Sequence, residues 1–231
     1  NVFGFAKGSG MIAPNMGTML GYIFIESNIL KKDLKKILKS HLNESFNSIT
    51  VDGDTSTSDT VMLFSLSNAQ DKPIIDLKNL SIISQAVKKI MFNLALQVVS
   101  DGEGISKLIQ INISGAKSYG QASKVGFSIG NSLLVKTAIS GQDANWGRII
   151  MAIGKADSNI SQNKIKIKFA QNEVCSNGKV SKKINIKKLD SYMKNKIIEI
   201  NVSLGNGKYK RTIYSSDLTH EYIRINGDYR S

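Results

Sequence analysis

Three segments in the second half of the 231-residue chain alternate between apolar and polar residues, and this alternation constrains the fold most. They are KLIQINIS at 107–114, KIKIKF at 164–169 and KIIEINVSL at 196–204. A period of two predicts strands with one face in a core and the other face polar. The apolar face of such a sheet must be covered by helices or by a second sheet. The second half of the chain is therefore predicted to contain a covered sheet.

Helical patterns lie among these strands and before them. Apolar residues at helical spacing predict helices over 80–99, 118–130 and 146–154, and one after residue 27 that Ser27 or Asn28 would cap. Further strands are predicted at 21–27, on both sides of a polar turn within 46–66, and once or twice within 208–226, whereas 1–20 is interpreted as a loop ending in a short strand. The elements follow no strict βαβ rhythm, so the predicted class is α+β, with a domain boundary near residue 104.

The net charge alone excludes few classes of function, but the positions of the charged residues along the chain are informative. The net charge is +13, and all of it falls in residues 105–231, because residues 1–104 hold ten lysines and ten acids. Only 4 of the 31 basic residues are arginine and aromatic residues do not alternate with them, which favours solvated lysines over a nucleic-acid interface. One cysteine and two histidines exclude a disulfide scaffold and a Cys/His zinc centre within the chain. No apolar run of membrane-spanning length and no signal peptide are apparent, so we expect a cytoplasmic protein without a membrane partner.

The segment KGSGMIAPNMGTML at 7–20 is dense in glycine and other small residues. A threonine that follows a small residue in a tight turn can attack the preceding carbonyl, and water then cleaves the resulting ester. The product is a chain that starts at Thr18, whose α-amine, with a pKa near 8, can act as the base for its own hydroxyl. The residues alone also fit a purely structural turn at Gly17 and Thr18.

Three other polar clusters could carry chemistry. The segment DGDTSTSDT at 52–60 reads either as a metal loop or as a turn capped by its own side chains, although the Glu of an EF-hand is missing. The segment DGEG at 101–104 is either a helix C-cap or a carboxylate that points into a site. The C-terminal SSDLTHEYIRINGDYRS is either a frayed tail or a set of polar groups that reach a pocket.

Together and in this order, these clusters resemble the second half of the bifunctional glutamate N-acetyltransferase/ornithine acetyltransferase (ArgJ) family of arginine biosynthesis. The matching stretches are KGSGMIAPNMGTML, SFNSITVDGDTSTSDT, DGEGISKLIQI, NSLLVKTAISGQDANWGRI and DLTHEYIRINGDY. The resemblance implies a layered αββα core of the N-terminal-nucleophile type with a smaller C-terminal α+β domain. It assigns 1–17 to the end of an α chain, 18–104 to the nucleophile-bearing core of a β chain and 105–231 to its C-terminal domain.

The resemblance also implies a site. Thr18 would be the nucleophile and, with Gly17, the self-cleavage site. Lys7 and Glu103 would bind substrate, and Asn226 and Ser231 would close over it. The reaction would be a ping-pong transfer of acetyl from N2-acetyl-L-ornithine to L-glutamate, without a metal. Acetyl-CoA serves as a donor in some members and is therefore allowed as a co-substrate. The partner would be the α chain in an α2β2 assembly, with no nucleic acid.

Departures from the family pattern and rival functions complete the expectations. Gly17 replaces the usual alanine, Ser58 the usual asparagine of TSTNDT, and Gly227 the alanine of INADY. The oxyanion donors of the family are a Thr–Gly pair of the α chain upstream of this sequence, so we expect the 231 residues to be inactive alone. The main alternative is an amidohydrolase or aminopeptidase of the same fold that uses water as acceptor. A basic binding module without catalysis is the alternative from another class.

Overall fold

A computed structural model describes residues 1–11, 19–55, 59–68 and 70–229. The chain divides into two compact units, residues 1–101 and 102–231, each described by itself. The division falls after Asp101, three residues before the boundary that the sequence suggested. Both units combine helices with sheets, so the predicted α+β class is confirmed. The family resemblance implied a smaller C-terminal domain, but within this chain the C-terminal unit is the longer of the two. The expected size order holds only if the α chain is counted with the core.

The first unit contains a three-stranded sheet with two helices. Strand β1 (Val2–Lys7) pairs antiparallel with β2 (Leu20–Ile25), which pairs parallel with β3 (Thr60–Ser65). Between β2 and β3 lie helix α1 (Lys31–Leu42) and a 3₁₀ turn at Phe46–Ser48. Helix α2 (Leu77–Ser100) follows β3 and ends at the predicted DGEG turn.

The two faces of this sheet differ. Helix α2 packs on one face, where its Met91, Leu94 and Val98 are buried together with Ile23 and Ile25 of β2. The other face carries a ladder of aromatic rings from all three strands, with stacked centroids 5.0–6.0 Å apart. We call this the aromatic face; it consists of Phe3, Phe5, Tyr22, Phe24, Met62 and Phe64. Its outer members are exposed, Phe5 by 58%. Among the described residues of the first unit, helices cover one face of the sheet and none covers the aromatic face.

One described helix, α2, is long and apolar enough to cross a membrane by length and composition, which the sequence analysis did not anticipate. The adjacent Lys88 and Lys89 interrupt the run of apolar residues but lower the mean hydropathy of an 18-residue window only modestly. The core helix of a protein without any membrane span passes the same test, so this finding is weak evidence about membranes.

The second unit is built on a six-stranded sheet in the order β7-β6-β5-β8-β4-β9. The strands are β4 (Leu108–Ala116), β5 (Lys166–Phe169), β6 (Asn172–Ser176), β7 (Lys179–Val180), β8 (Ile197–Ser203) and β9 (Tyr209–Ser216). The helices are α3 (Tyr119–Gly130), α4 (Leu133–Ser140), α5 (Trp146–Ala156), α6 (Ile186–Met193) and α7 (His220–Asp228), and a 3₁₀ turn spans Gln162–Lys164. Strand β4 runs parallel to β8 and antiparallel to β9.

The alternating segments form the centre of this sheet, as predicted. In β4, Ile109, Ile111 and Ile113 are buried, whereas the intervening polar residues face away from the core. Helix α3 covers the apolar face and approaches β9 closely at Gly126, where an added Cβ would lie 2.6 Å from Ile213. The absence of a side chain at Gly126 therefore allows the helix to pack against the sheet.

Three local predictions are wrong. Residues 2–7, interpreted as loop because of the glycine-rich composition around them, form β1, since pairing with β2 supplies the hydrogen bonds that composition did not suggest. The first strand expected within 46–66 is a 3₁₀ turn. Helix α1 begins after Leu30 without a side-chain cap, because the Asn28 amide donates to the Asp71 carbonyl instead. Within 208–226, where one or two strands were predicted, the structure has one strand, β9, followed by helix α7.

Candidate active site

Lys7 is the last residue of β1 and pairs with Leu20, the first residue of β2. Lys7 is exposed and is one of the residues around a cavity of about 360 Å³ beside the C-terminal end of α2, while the alternation of β1 places its side chain on the face that carries Phe3 and Phe5. The other lining residues are Ala6, Gly8, Leu94, Gln97, Val98, Ser100 and Asp101. A lysine ammonium at an open cavity can pair with a carboxylate ligand. Lys7 therefore stands where a substrate carboxylate could reach it.

Gly17, Thr18 and Ser231 lie outside the described residues, so their predicted roles stay predictions. Met19, which directly follows Thr18 in the sequence, is described, and only 3% of it is exposed. Its carbonyl accepts a hydrogen bond from the Thr60 amide, 3.0 Å away.

Asp59 binds the backbone amide of Met19. Its Oδ1 accepts a hydrogen bond from the Met19 amide at 2.7 Å, whereas its Oδ2 is buried and has no hydrogen-bond partner among the described residues. Burial raises the pKa of the Asp59 carboxyl above its ordinary value, and the bond from Met19 opposes that rise in part. The sequence analysis missed Asp59 because it read DGDTSTSDT as a possible metal loop or turn and not as a partner of the following strand.

Glu103 and Asn226, separated by 123 residues in sequence, are brought together in the second unit. The Asn226 Nδ2 donates to the Glu103 Oε2 at 2.8 Å and to the Tyr222 carbonyl at 3.1 Å. Glu103 comes from the turn after α2, and Asn226 from α7. The carboxylate can bind an ammonium group, and the amide can donate to a carboxylate or carbonyl. Two of the predicted substrate-binding residues thus form one polar pair.

The turn that carries Glu103 is fitted closely against α7. Gly104 has a φ of +61°, and a Cβ at this position would lie 2.4 Å from the Tyr222 nitrogen. The Thr219 hydroxyl donates to the Gly104 carbonyl and accepts from the Glu221 amide, so it also caps α7. Only glycine fits here, because both the backbone conformation and the space exclude a side chain.

Asp217 connects the segment before α7 with the residues that follow the Glu103 turn. Its carboxylate accepts hydrogen bonds from the Ser106 amide at 2.8 Å, the Ser106 hydroxyl at 2.5 Å and the Lys107 amide at 2.9 Å. Asp217 is 2% exposed. This side chain therefore ties the segment before α7 to the segment after Glu103. The sequence analysis missed Asp217.

The acidic loop at 52–60 behaves as a turn as far as it is described. The Asp52 carboxylate accepts from the Asp54 amide at 3.2 Å and from the Met11 amide at 2.6 Å. The first bond is an Asx turn, one of the two interpretations left open by the sequence. Residues 56–58 lie outside the described part, and within the described residues no cluster of three His, Cys, Asp or Glu side chains could hold a metal.

The chain is similar to known proteins over almost its whole length. The model of the ArgJ family matches residues 1–231. An arginine biosynthesis bifunctional protein ArgJ from Brucella suis biovar 1 (strain 1330) is 43% identical over 99% of this chain, and one from Zymomonas mobilis subsp. mobilis (strain ATCC 31821 / ZM4 / CP4) is 46% identical over 99%. The crystal structure of arginine biosynthesis bifunctional protein ArgJ from Bacillus halodurans is 34% identical, with a TM-score of 0.85, and the match covers 92% of this chain and 100% of that chain.

The chain spans 56% of the length of the two curated relatives. Because the solved relative shares the fold at a TM-score of 0.85, the architecture described above is that of a known structure.

Proposed function

Since the chain belongs to the ArgJ family, we propose that it is the nucleophile-bearing part of an acetyltransferase that moves acetyl from N2-acetyl-L-ornithine to L-glutamate in arginine biosynthesis. The observation that carries this proposal is the hydrogen bond between Glu103 and Asn226. These residues were assigned to one substrate site from the resemblance alone, and they meet although one follows α2 and the other lies in α7.

The chemistry is a two-step acyl transfer through Thr18. The Thr18 Oγ attacks the acetamide carbon of N2-acetylornithine, the C–N bond breaks, and the ornithine amine leaves with a proton. The glutamate amine then attacks acetyl-Thr18, loses a proton and releases the threonine hydroxyl as N-acetylglutamate forms. The α-amine of an N-terminal threonine, with a pKa near 8, is the base in both steps.

The nucleophile needs a free amine, so the chain must first be cut between Gly17 and Thr18. The Thr18 hydroxyl attacks the Gly17 carbonyl, the acyl group shifts from nitrogen to oxygen, and water hydrolyses the ester.

The described side chains suit the groups of the two substrates. Lys7 would pair with a substrate carboxylate, and Glu103 would accept hydrogen bonds from its amino group. Asn226 and Ser231 would close over the ligand from the C-terminal end. No step in this scheme requires a metal. Acetyl-CoA can replace acetylornithine as the donor, since the acyl-enzyme would be the same.

The partner is the α chain, in an α2β2 assembly. The aromatic face supports this proposal for the rest of the α chain, because Phe3 and Phe5 of its last segment and Met62 of the β chain are 45%, 58% and 43% exposed on one side of the first unit's sheet. A second sheet laid on this face would complete the expected αββα layering. The relatives are longer by enough residues to provide it, as this chain spans 56% of their length. We place the reaction in the cytoplasm, without membrane or nucleic acid.

The product formed in the presence of glutamate tests the proposal against the hydrolase alternative. The protein encoded by the complete gene is incubated with N2-acetylornithine, with and without glutamate, and acetate and N-acetylglutamate are quantified. We expect N-acetylglutamate and ornithine in equal amounts and little acetate. Acetate as the main product, independent of glutamate, would mean that water is the natural acceptor.

Two variants assign the chemistry to Thr18. Thr18→Ala removes the hydroxyl and should abolish both chain cleavage and transfer. Thr18→Ser keeps a hydroxyl and should retain measurable cleavage and transfer. Full transfer activity in the Thr18→Ala variant would contradict the assignment.

A further inference from the structure

The start of β2 is the point where all three strands of the first unit meet. Leu20 pairs with Lys7 of β1 and with Thr60 of β3. One residue earlier, the Met19 carbonyl accepts from the Thr60 amide at 3.0 Å. The backbone that directly follows Thr18 is therefore anchored to the sheet on its carbonyl side by ordinary strand pairing.

The amide side of Met19 is held in a different way. Its N–H donates to a carboxylate, Asp59 Oδ1, at 2.7 Å, which is short for a bond from a backbone amide. The second oxygen, Oδ2, is buried and has no hydrogen-bond partner in the described part of the chain. A buried carboxylate oxygen without a donor is unfavourable, and an asparagine or serine could accept the same bond without the buried charge. Local packing therefore gives no reason for a carboxylate at this position.

We propose that Asp59 is the positioning residue for the Thr18 nucleophile, because its carboxylate fixes the amide through which Thr18 is joined to Met19. This inference rests on the function proposed above. The Met19 N–H and the Thr18 carbonyl belong to one planar peptide unit, so the bond to Asp59 sets the orientation of that plane. A fixed peptide plane limits the backbone rotations open to the residue before it, and this is how Asp59 would position the Thr18 hydroxyl for the Gly17 carbonyl and the acetyl carbon.

The expected kinetic signature follows from this indirect action. Asp59 contacts the backbone and is not assigned to substrate, so its loss should lower the rate of the chemical step and leave substrate binding almost unchanged. A misplacement of about 1 Å costs up to about 100-fold in rate. We therefore expect Asp59→Ala to lower kcat by about 10- to 100-fold with KM within about twofold of wild type.

The experiment compares Asp59→Ala, Asp59→Asn and the control Asp54→Ala in the protein encoded by the complete gene. Asp54 is an exposed acid in the same loop, five residues earlier. Three quantities are measured: hydrogen exchange of the Met19 amide by NMR in the intact protein, the rate of cleavage before Thr18, and kcat and KM with N2-acetylornithine. Asp59→Ala should speed exchange, slow cleavage and lower kcat. Asp59→Asn, which keeps an acceptor oxygen, should fall between it and wild type, and Asp54→Ala should behave like wild type.

The outcomes separate this inference from the function on which it rests. Faster exchange at Met19 with unchanged cleavage and kcat would overturn the positioning role, and so would a raised KM at constant kcat. If Asp59→Ala does not fold, the Asp59→Asn variant tests the role. A lower kcat with faster exchange at Met19 would support the positioning role of the carboxylate, and wild-type kcat with wild-type exchange would refute it. If the wild-type protein is neither cut nor acetylated, the proposed function fails and the positioning role fails with it. If the wild-type protein is active and Asp59→Ala has the same cleavage rate and kcat, only the positioning role is refuted.

Discussion

A methyl group at position 104 would collide with the backbone of α7. It would lie 2.4 Å from the Tyr222 nitrogen and 2.6 Å from the Glu221 carbonyl carbon, where ordinary contacts begin near 3.4 Å. The φ of +61° adds about 1–2 kcal/mol for any residue with a Cβ, and overpacking against backbone adds about 1–3 kcal/mol. Gly104→Ala should therefore lower the free energy of unfolding by about 2–5 kcal/mol, or release α7 from the turn.

Both results are measurable in one set of experiments. Trp146, the single tryptophan, packs against the core of the second unit, so its fluorescence in urea reports the unfolding of that unit. Displacement of α7 would separate Asn226 from Glu103 and raise KM for acetylornithine. Gly227→Ala is the matched control, because it lies in α7 with no atom within 4 Å of the added Cβ, and alanine should stabilise the helix by up to about 1 kcal/mol.

The reasoning would be refuted if Gly104→Ala unfolded within about 0.5 kcal/mol of wild type and kept the wild-type KM. That result would mean that the turn and α7 are not packed as closely as described.

Three further predictions test other parts of the molecule. Burial, followed by the charge of Lys88, lowers the pKa of His41. As pH falls, the unfolded chain therefore takes up the proton first, and the free energy of unfolding should decrease below about pH 6.5. His41→Gln should remove this decrease when urea titrations at about pH 7.5 and about pH 5.5 are compared. Asp217→Ala leaves the Ser106 and Lys107 amides without their acceptor and should lower the free energy of unfolding in urea by about 2–4 kcal/mol. Asp190→Ala, at an exposed position, should lower it by less than about 0.5 kcal/mol. Phe64→Ser, on the aromatic face within the β chain, should change the stability of the 231-residue chain by no more than about 1.5 kcal/mol but should weaken co-purification of the β chain with the α chain, and unchanged co-purification would exclude the aromatic face as the contact.

The strong periodic signals predicted the fold well. The alternation of Ile109, Ile111 and Ile113 identified β4 because every second residue enters the core. The spacing from Leu80 to Val98 identified α2, since one helical stripe of it is buried. In the candidate site, the sequence placed Glu103 and Asn226 together only through the family resemblance, because 123 residues separate them and no local pattern encodes their contact.

The failures have local physical causes. Strand β1 is short and is followed by a glycine-rich segment, so only its pairing with β2 defines it. Helix α7 was not predicted because its apolar residues are few, although the Thr219 cap marks its start. Asp59 and Asp217 were missed because their partners are backbone amides of distant segments, which no motif of side chains shows.

The denatured intact mass of the protein encoded by the complete gene, measured with and without N2-acetylornithine, tests the central claim most directly. The account predicts a chain that begins at Thr18 and gains the mass of one acetyl group when acetylornithine is present and glutamate is absent, and that loses it again when glutamate is added. An uncut chain that never gains acetyl would contradict both the self-cleavage and the acetyl-threonine intermediate, and with them the proposed transferase function.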